Sequence, residues 1–233
     1  MKVISFGVWG NDEMYLTGIG RNCWDIKNSY PDWEPWVYYN NTVPSETIEE
    51  IISMNVKVIH IDNKTNDCSN SIWRFQPCFD DSVDLFLSRD CDSRITPREM
   101  ELVNNWIKSQ KELHIIRDHR YHQKPIMAGM FGIKRGDIMN ILKKELLDLQ
   151  LIIKSGVSYR PDLREYQVDE NFLETKVFPF SFGKSMSHVS AGALYPDDIV
   201  ISKSDTNFIG CKMDSEGNPK MTYLEGFRRF NEN

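Results

Sequence analysis

No apolar run in this 233-residue chain approaches the ~18 residues that a membrane-spanning helix needs, so no transmembrane segment is expected. The opening Met1-Lys2-Val3-Ile4-Ser5-Phe6-Gly7-Val8-Trp9 is too short and too aromatic for a secretory signal and reads as a first core strand. There is no basic tail and no lysine–arginine cluster. Together with a net charge of −6, that counts against a general nucleic-acid binder. The five cysteines, Cys23, Cys68, Cys78, Cys91 and Cys211, form no C-x-x-C and no zinc spacing. An odd, scattered set points to reduced thiols and a cytoplasmic location. The P-loop G-x-x-x-x-G-K-S/T is missing, and so is the hydrolase elbow G-x-S-x-G. The first strand lacks G-x-G-x-x-G, which counts against dinucleotide binding. Asn40-Asn41-Thr42 and Asn63-Lys64-Thr65 match the glycosylation sequon, a match common by chance.

What is present reads as an ordinary globular chain, 40% hydrophobic and 27% charged. No repeat, low-complexity tract or linker divides it, so one domain over residues 1–233 is expected. Residues 2–9 are a strand. Residues 10–43 are rich in Trp, Tyr, Asn and Pro, which predicts a loop and a short helix before a strand near Trp36-Val37-Tyr38-Tyr39. Pro44-Ser45-Glu46-Thr47 opens a helix, and Val56-Lys57-Val58-Ile59-His60-Ile61 is the next strand. Ile72-Trp73-Arg74-Phe75 is a short helix, and Val83-Asp84-Leu85-Phe86-Leu87 is a buried strand. Thr96-Pro97-Arg98-Glu99 is a capping box with Pro at the first helical position. Leu113-His114-Ile115-Ile116 is a strand, and Asp137 N-caps an amphipathic helix to about Ile153. A further helix fits residues 162–175, and short apolar runs follow at 198–201 and 207–211. The alternation implies α/β architecture: a mainly parallel, mixed central sheet flanked by helices.

In such a sheet, ligands sit beyond the carboxyl ends of the strands, near a topological switch point. Three polar clusters follow strands: Gly7-Val8-Trp9-Gly10-Asn11, Asp90-Cys91-Asp92 and Arg117-Asp118-His119. An Asp-x-Asp at a strand end points two hard oxygen ligands outward from a rigid edge. Mg²⁺ or Mn²⁺ held there can bind a diphosphate. A solvated turn is the alternative. Arg74 and Arg89 can offset phosphate charge, or can serve as structural ion pairs. Arg117-Asp118-His119-Arg120-Tyr121-His122 can orient sugar hydroxyls, or be an exposed polar loop; it has no third ligand at useful spacing for zinc. Gly129, in Gly129-Met130-Phe131-Gly132, permits close approach of backbone to a ligand, or a tight turn. Asp169-Glu170 can supply a base or a polar contact at a reacting carbon, or lie on a solvated helix face. His188 gains meaning only beside a metal.

Several of these segments, in order and spacing, resemble small GT-A-type glycosyltransferases of bacteria and large DNA viruses, chlorella-virus-like examples included. They are Ile4-Ser5-Phe6-Gly7-Val8-Trp9-Gly10-Asn11, Tyr30-Pro31-Asp32-Trp33 and Trp73-Arg74-Phe75, then Phe86 to Arg94 around the Asp pair and Pro97-Arg98-Glu99. Arg117-Asp118-His119, Gly129-Met130-Phe131-Gly132 and Val168-Asp169-Glu170 with Phe172-Leu173 complete the set, spanning about residues 3–190. The resemblance implies a GT-A fold, a UDP- or GDP-sugar donor, a Mn²⁺ or Mg²⁺ ion and a hydroxyl acceptor on a glycan or glycoprotein. It implies that Asp92 binds metal directly and that Asp90 shares metal and ribose contacts. Ser5, Phe6 and Gly7 would line the base and ribose pocket, with Arg74 and Gly129 also on the donor. Asp118 would touch the donor sugar, Asp169 would sit near the anomeric carbon, and His188 would be the third metal ligand. The chain departs from the family where Asp-Gln is usual, at Asp169-Glu170, and where His-Asp-Ser is usual, at His188-Val189-Ser190.

Asp169 or Asp118 would be the general base of an inverting route; a retaining route stays open. A nucleotidyltransferase acting on sugar phosphates also uses paired aspartates on an α/β sheet, but its Gly-rich phosphate loop with a basic residue is absent. A non-catalytic carbohydrate- or nucleotide-binding module is the remaining alternative, its Trp and Tyr residues between 24 and 39 stacking on sugars.

Overall fold

Small residues on one face of the first strand set the architecture. In β1 (Lys2–Val8), Ile4, Phe6 and Val8 point to one side, and Val3, Ser5 and Gly7 to the other. The second side faces a run of 3₁₀ turns over Cys68–Phe79, where a Cβ on Gly7 would be in ordinary contact with Asn70 O at 3.5 Å. The computed structural model describes residues 1–154, 167–192, 194–204 and 208–220. Among these, β1 is followed by α1 (Glu13–Ser29), β2 (Trp33–Asn40), α2 (Ser45–Ser53) and β3 (Lys57–Ile61). After the 3₁₀ run come β4 (Leu85–Arg89), α3 (Pro97–Lys108), β5 (Leu113–Arg117), β6 (Met130–Lys134) and α4 (Asp137–Lys154). The short α5 (Val168–Phe172), β7 (Ser185–Val189) and β8 (Asp198–Val200) follow.

The strands form one eight-stranded sheet in the order β3-β2-β1-β4-β6-β5-β7-β8. All neighbours are parallel except β6, which runs antiparallel to both β4 and β5. The expected mainly parallel, mixed sheet with flanking helices is therefore observed. The chain builds outward from β1 to β3, then returns to the other side of β1 as β4. That reversal makes the carboxyl ends of β1 and β4 the switch point.

One face of the sheet is covered by α1, α2 and α3, with Ile19, Ile51, Val103 and Trp106 against Ile4, Phe6 and Leu87. The other is covered by the 3₁₀ run, α4 and α5, with Phe75, Leu142 and Phe172 against Val3, Phe86 and Phe131. Thr96 caps α3 as expected, its hydroxyl accepting from Glu99 N–H at 3.2 Å. Glu99 does not close the box. Its side chain turns inward to the fully buried Arg89 guanidinium, which also donates to Ser88 O and Phe131 O at 2.7 and 2.8 Å. Arg89 is thus a structural ion pair. Asp137 starts α4 but pairs with Lys184 at 2.6 Å, while Glu112 takes the Ile138 N–H at 2.9 Å in its place.

Two segments differ from expectation. The region after β1 carries the 17-residue α1 in place of a short helix. Residues 130–134 form a strand, where the sequence also allows a tight turn before Ile133. Residues 162–166 of the expected 162–175 helix, and residue 207 of the apolar run, lie outside the described residues; α5 begins at Val168. No described helix is long and apolar enough to cross a membrane.

Candidate functional site

Beyond the carboxyl ends of β1 and β4 lies a cleft of about 460 Å³. That size suits a small-molecule site. Six stretches of chain build it. Gly7 to Asp12, with Tyr15 on α1, forms one wall; Asn66, Cys68, Ser71 and Arg74 form the next. Asp90, Cys91 and Asp92 stand at the end of β4. Gly129 and Met130, Asp169 and Glu170, and Gly210 and Lys212 complete the lining.

The Asp-x-Asp turn is held rigidly. Asn22 on α1 donates its amide to Ser93 O at 2.9 Å and to Cys91 O at 3.4 Å. Gly18 brings α1 against the turn, since a Cβ there would meet Cys91 O at 2.1 Å. Cys91 is packed into the core, so the carboxylates on either side of it face the cleft. The Asp90 side chain is 42% exposed and ion-paired to Arg74. Gly129 is required by Asp90: a Cβ at that position would fall 1.9 Å from Asp90 Oδ2. Asp92 is more enclosed, with Oδ2 at 3.0 Å from Lys212 Nζ. Burial and the neighbouring Asp90 charge push the Asp92 carboxyl above its ordinary pKa, against the pull of Lys212.

Arg74 is the hinge between two segments far apart in sequence. Its guanidinium bridges Asp90 and Asp169, the latter at 2.5 Å. The second Asp169 oxygen accepts the Glu170 N–H at 2.8 Å. Asp169 is therefore an anchor with both oxygens engaged. Glu170 differs: its carboxyl lines the cleft, and no described residue donates a hydrogen bond to it. Burial first, then the charges of Asp169 and Asp90, raise its pKa to about 7. A carboxyl that titrates near neutrality can accept a proton at neutral pH.

The structure gathers Gly7, Arg74, Asp90, Asp92, Gly129 and Asp169 around the cleft, and leaves four other candidates outside it. Phe6 points to the opposite face of β1, into the α1 side of the core, by the two-residue period of the strand. Ser5 is fully buried between Trp36 and Ser88 of the flanking strands, one turn of the pleat too early. Asp118 is buried beneath Arg98, which it holds through both oxygens at 3.1 and 3.0 Å, and it also accepts the Ile209 N–H at 3.0 Å. It is committed to structure and cannot serve as a base. His188 sits on β7, three strands from β4, roughly 14 Å at the usual interstrand spacing. Its Nδ1 lies 2.9 Å from His114 Nε2, and the His114 ring stacks on Trp106. Burial lowers the pKa of both histidines, so this is a neutral core pair, set apart from Asp90 and Asp92 by its place on β7.

Among the described residues no group of three His, Cys, Asp or Glu side chains forms a ready-made metal cage. The donor set nevertheless fits a hard divalent cation. Mg²⁺ and Mn²⁺ are commonly held by one or two carboxylates, with phosphates and water completing the shell. The described cleft lining carries five carboxylates (Asp12, Asp90, Asp92, Asp169, Glu170) against Arg74 and Lys212. An anionic ligand entering this field needs additional positive charge.

No family model matches the chain, and no curated protein matches it. Solved structures of similar path include a 4-diphosphocytidyl-2C-methyl-D-erythritol synthase from Anaerococcus prevotii (TM-score 0.47, 11% identity, 100% of this chain and 98% of that one). Another is the galactosyltransferase LgtC in complex with donor and acceptor sugar analogs (0.48, 14% identity, 82% and 74%). A third is the mannosyltransferase PcManGT from Pyrobaculum calidifontis in complex with GDP-Man and Mn²⁺ (0.45, 10% identity, 86% and 56%). With these TM-scores below 0.5, none of the three decides what the cleft does.

Lys212 escapes a reading of the sequence because it follows the apolar run 207–211 with no motif to mark it, and Gly210 shows there only as part of that run. Glu170 is visible as half of an acidic pair; its open carboxyl is not.

Proposed function

We propose that this protein is a metal-dependent glycosyltransferase that moves a sugar from a nucleoside diphosphate sugar to a hydroxyl acceptor. The observation that carries the reading is the Asp90–Arg74–Asp169 bridge at the switch point, with Asp92 and the open Glu170 carboxyl on either side of it. Asp90 and Asp92 would hold Mn²⁺ or Mg²⁺. Bound there, the cation would neutralise the departing diphosphate, an electrostatic contribution that is often the largest in such reactions.

The chain's own residues do the rest. Gly7 and the Trp9–Asp12 turn form a wall for the nucleoside, and Gly129 leaves room for Asp90 to keep its place. Arg74 fixes the distance between the diphosphate end, at Asp90, and the sugar end, at Asp169. Glu170 takes the acceptor proton in an inverting route, with Asp169 holding the backbone of its helix turn. In this assignment Glu170 replaces Asp169 and Asp118 as base.

The nucleotidyltransferase reading has less support. Such an enzyme must hold a triphosphate at the turn after β1, yet that turn carries Asp12 and Glu13 and no basic residue. The test is incubation with UDP- and GDP-sugars and Mn²⁺, with and without mono- and disaccharide acceptors, following release of the nucleoside diphosphate. Metal-dependent release supports the transferase. Release of pyrophosphate from a nucleoside triphosphate and a sugar phosphate would overturn it. So would stabilisation by nucleotide sugars that is equal in EDTA.

A further inference from the structure

Lys212 reaches the cleft from a segment that belongs to none of the eight strands, yet its main chain is held from several sides. Ile209 N–H donates to Asp118 at 3.0 Å, and Met213 N–H donates to the Asp92 carbonyl at 2.7 Å. Beyond it the chain doubles back, with Met213 bridged to Pro219 and Lys220 N–H donating to Lys212 O at 2.8 Å. Gly210 makes the approach possible: its φ is +82°, and a Cβ would strike Met130 Sδ at 2.3 Å. The ammonium lies 5.3 Å from the Tyr15 ring centroid, 3.2 Å from the Tyr15 hydroxyl and 3.0 Å from Asp92 Oδ2.

We propose that Lys212 is an internal counter-ion of Asp92, standing in for the divalent cation when no nucleotide is bound, so that metal and nucleoside diphosphate bind cooperatively. The proposal rests on the reading of Asp90 and Asp92 as the metal site. A divalent ion coordinated by Asp92 would come close to an ammonium that contacts the same carboxylate. The two positive charges repel at a distance where little water separates them. Metal arriving alone must expel Lys212 into solvent without giving it a new partner. Metal arriving with a diphosphate supplies that partner, because the phosphate oxygens accept from the displaced ammonium.

Lysine suits such an exchange. Its charge sits at the end of a flexible stem and can swing while the pinned main chain stays in place. Arg74 offers the contrast, locked between Asp90 and Asp169. By linkage, a nucleotide that raises metal affinity through Lys212 must have its own affinity raised by metal to the same extent.

The experiment is titration of Mn²⁺ into the full chain, read by the electron paramagnetic resonance of the free ion, with and without UDP or GDP. Wild type is compared with Lys212→Met, which keeps an apolar stem along Tyr15, and with Lys212→Arg, which keeps the charge. Thermal melts confirm that each variant is folded. Lys212→Met should bind Mn²⁺ alone about tenfold more tightly, and the gain in Mn²⁺ affinity on adding nucleotide should shrink by a similar factor. Lys212→Arg should behave as wild type. If Lys212→Met binds Mn²⁺ alone no more tightly than wild type, while nucleotide and metal still bind together, the counter-ion role is refuted and the metal site stands. If wild type and Asp92→Asn bind Mn²⁺ equally in the presence of nucleotide, the metal site itself is refuted, and the counter-ion role with it.

Discussion

Replacing Glu170 with glutamine removes a charge and leaves the shape, and its consequences for rate and for stability have opposite signs. Burial and the charges of Asp169 and Asp90 carry the carboxyl from its usual 4.5 to about 7, with Arg74 and Lys124 pulling the other way. A base with that pKa is about one-tenth ionised at pH 6 and nine-tenths at pH 8. The kcat/KM of the wild type should therefore rise roughly tenfold over that interval and flatten above it, since kcat/KM reports the free enzyme. Glu170→Gln should abolish the rise and lower kcat/KM by about 10²–10⁴, the usual contribution of a general base. For stability, an acid whose folded pKa is raised keeps its proton longer in the folded state. Its contribution is fully present below about 4.5 and is lost as pH rises through about 7. At pH 8 the ionised, mostly buried carboxylate should cost roughly 3 kcal/mol at most. The glutamine variant should thus melt several degrees above wild type at pH 8, with the gap closing near pH 4.5. The assays are nucleoside diphosphate release against pH and parallel thermal melts. A variant that melts higher but keeps the tenfold rise would show that Glu170 is buried for structure and that another group takes the proton.

Asp92→Asn should eliminate the Mn²⁺-dependent rise in melting temperature on adding UDP or GDP, because stabilisation by a ligand follows its affinity for the folded state; an undiminished rise places the metal elsewhere. Gly129→Ala forces a methyl group onto Asp90 Oδ2, at 1.9 Å, and should weaken donor binding at least tenfold in a calorimetric titration while the chain still folds. His188→Gln should leave Mn²⁺-dependent nucleotide binding intact and lower the melting temperature, since the ring serves the His114 contact; lost metal binding would restore it as a ligand. His114 and His122 are held neutral by burial, below their usual 6.5. Their contributions are complete above about 6.5 and are lost as pH falls, each at up to about 1.4 kcal/mol per pH unit. Urea unfolding between pH 7 and 5 in the Glu170→Gln background should show stability falling as pH falls, with His119 and His188 adding in the same direction and Asp92, whose carboxyl is raised, opposing; a flat profile would refute the reading.

The sheet was legible where one physical signal dominated. β1, β3, β4 and β5 are short apolar runs bounded by polar residues, and α3 and α4 carry caps or strong helical periods. The length of α1 is hidden in the sequence because it answers to packing more than to helix propensity. Gly18 and Gly20 weaken the helical signal, yet Gly18 is what lets the helix touch the Asp-x-Asp turn. β6 was obscured in the same way. Gly132 looks like a turn residue, but a side chain there would collide with Leu87 at 2.6 Å and Trp106 at 3.0 Å. In both places a glycine that reads as a breaker is a close contact between layers.

The site was legible in proportion to how much of it hangs directly on strand ends. Asp90 and Asp92 could be placed because β4 delivers them at the switch point, and Gly7 because β1 does the same. The strand period decides against Phe6, which only the family resemblance places in the pocket. Asp118 also follows a strand, β5, and there the rule failed for an electrostatic reason. Arg98 reaches it from the first turn of α3, and with the Ile209 N–H it supplies three donors to a carboxylate that is shut off from the cleft by burial. Arg98 lies 20 positions upstream of Asp118, at no spacing that marks a pair. Asp118 still acts on the site at one remove: it holds Ile209, and so sets where Lys212 enters the cleft. A polar residue at the end of a strand is therefore a site residue only if no cation from a neighbouring helix claims it first. Arg74 obeys the same logic from the other side, since its two carboxylates, Asp90 and Asp169, are the groups that the proposed chemistry must keep apart at a fixed distance.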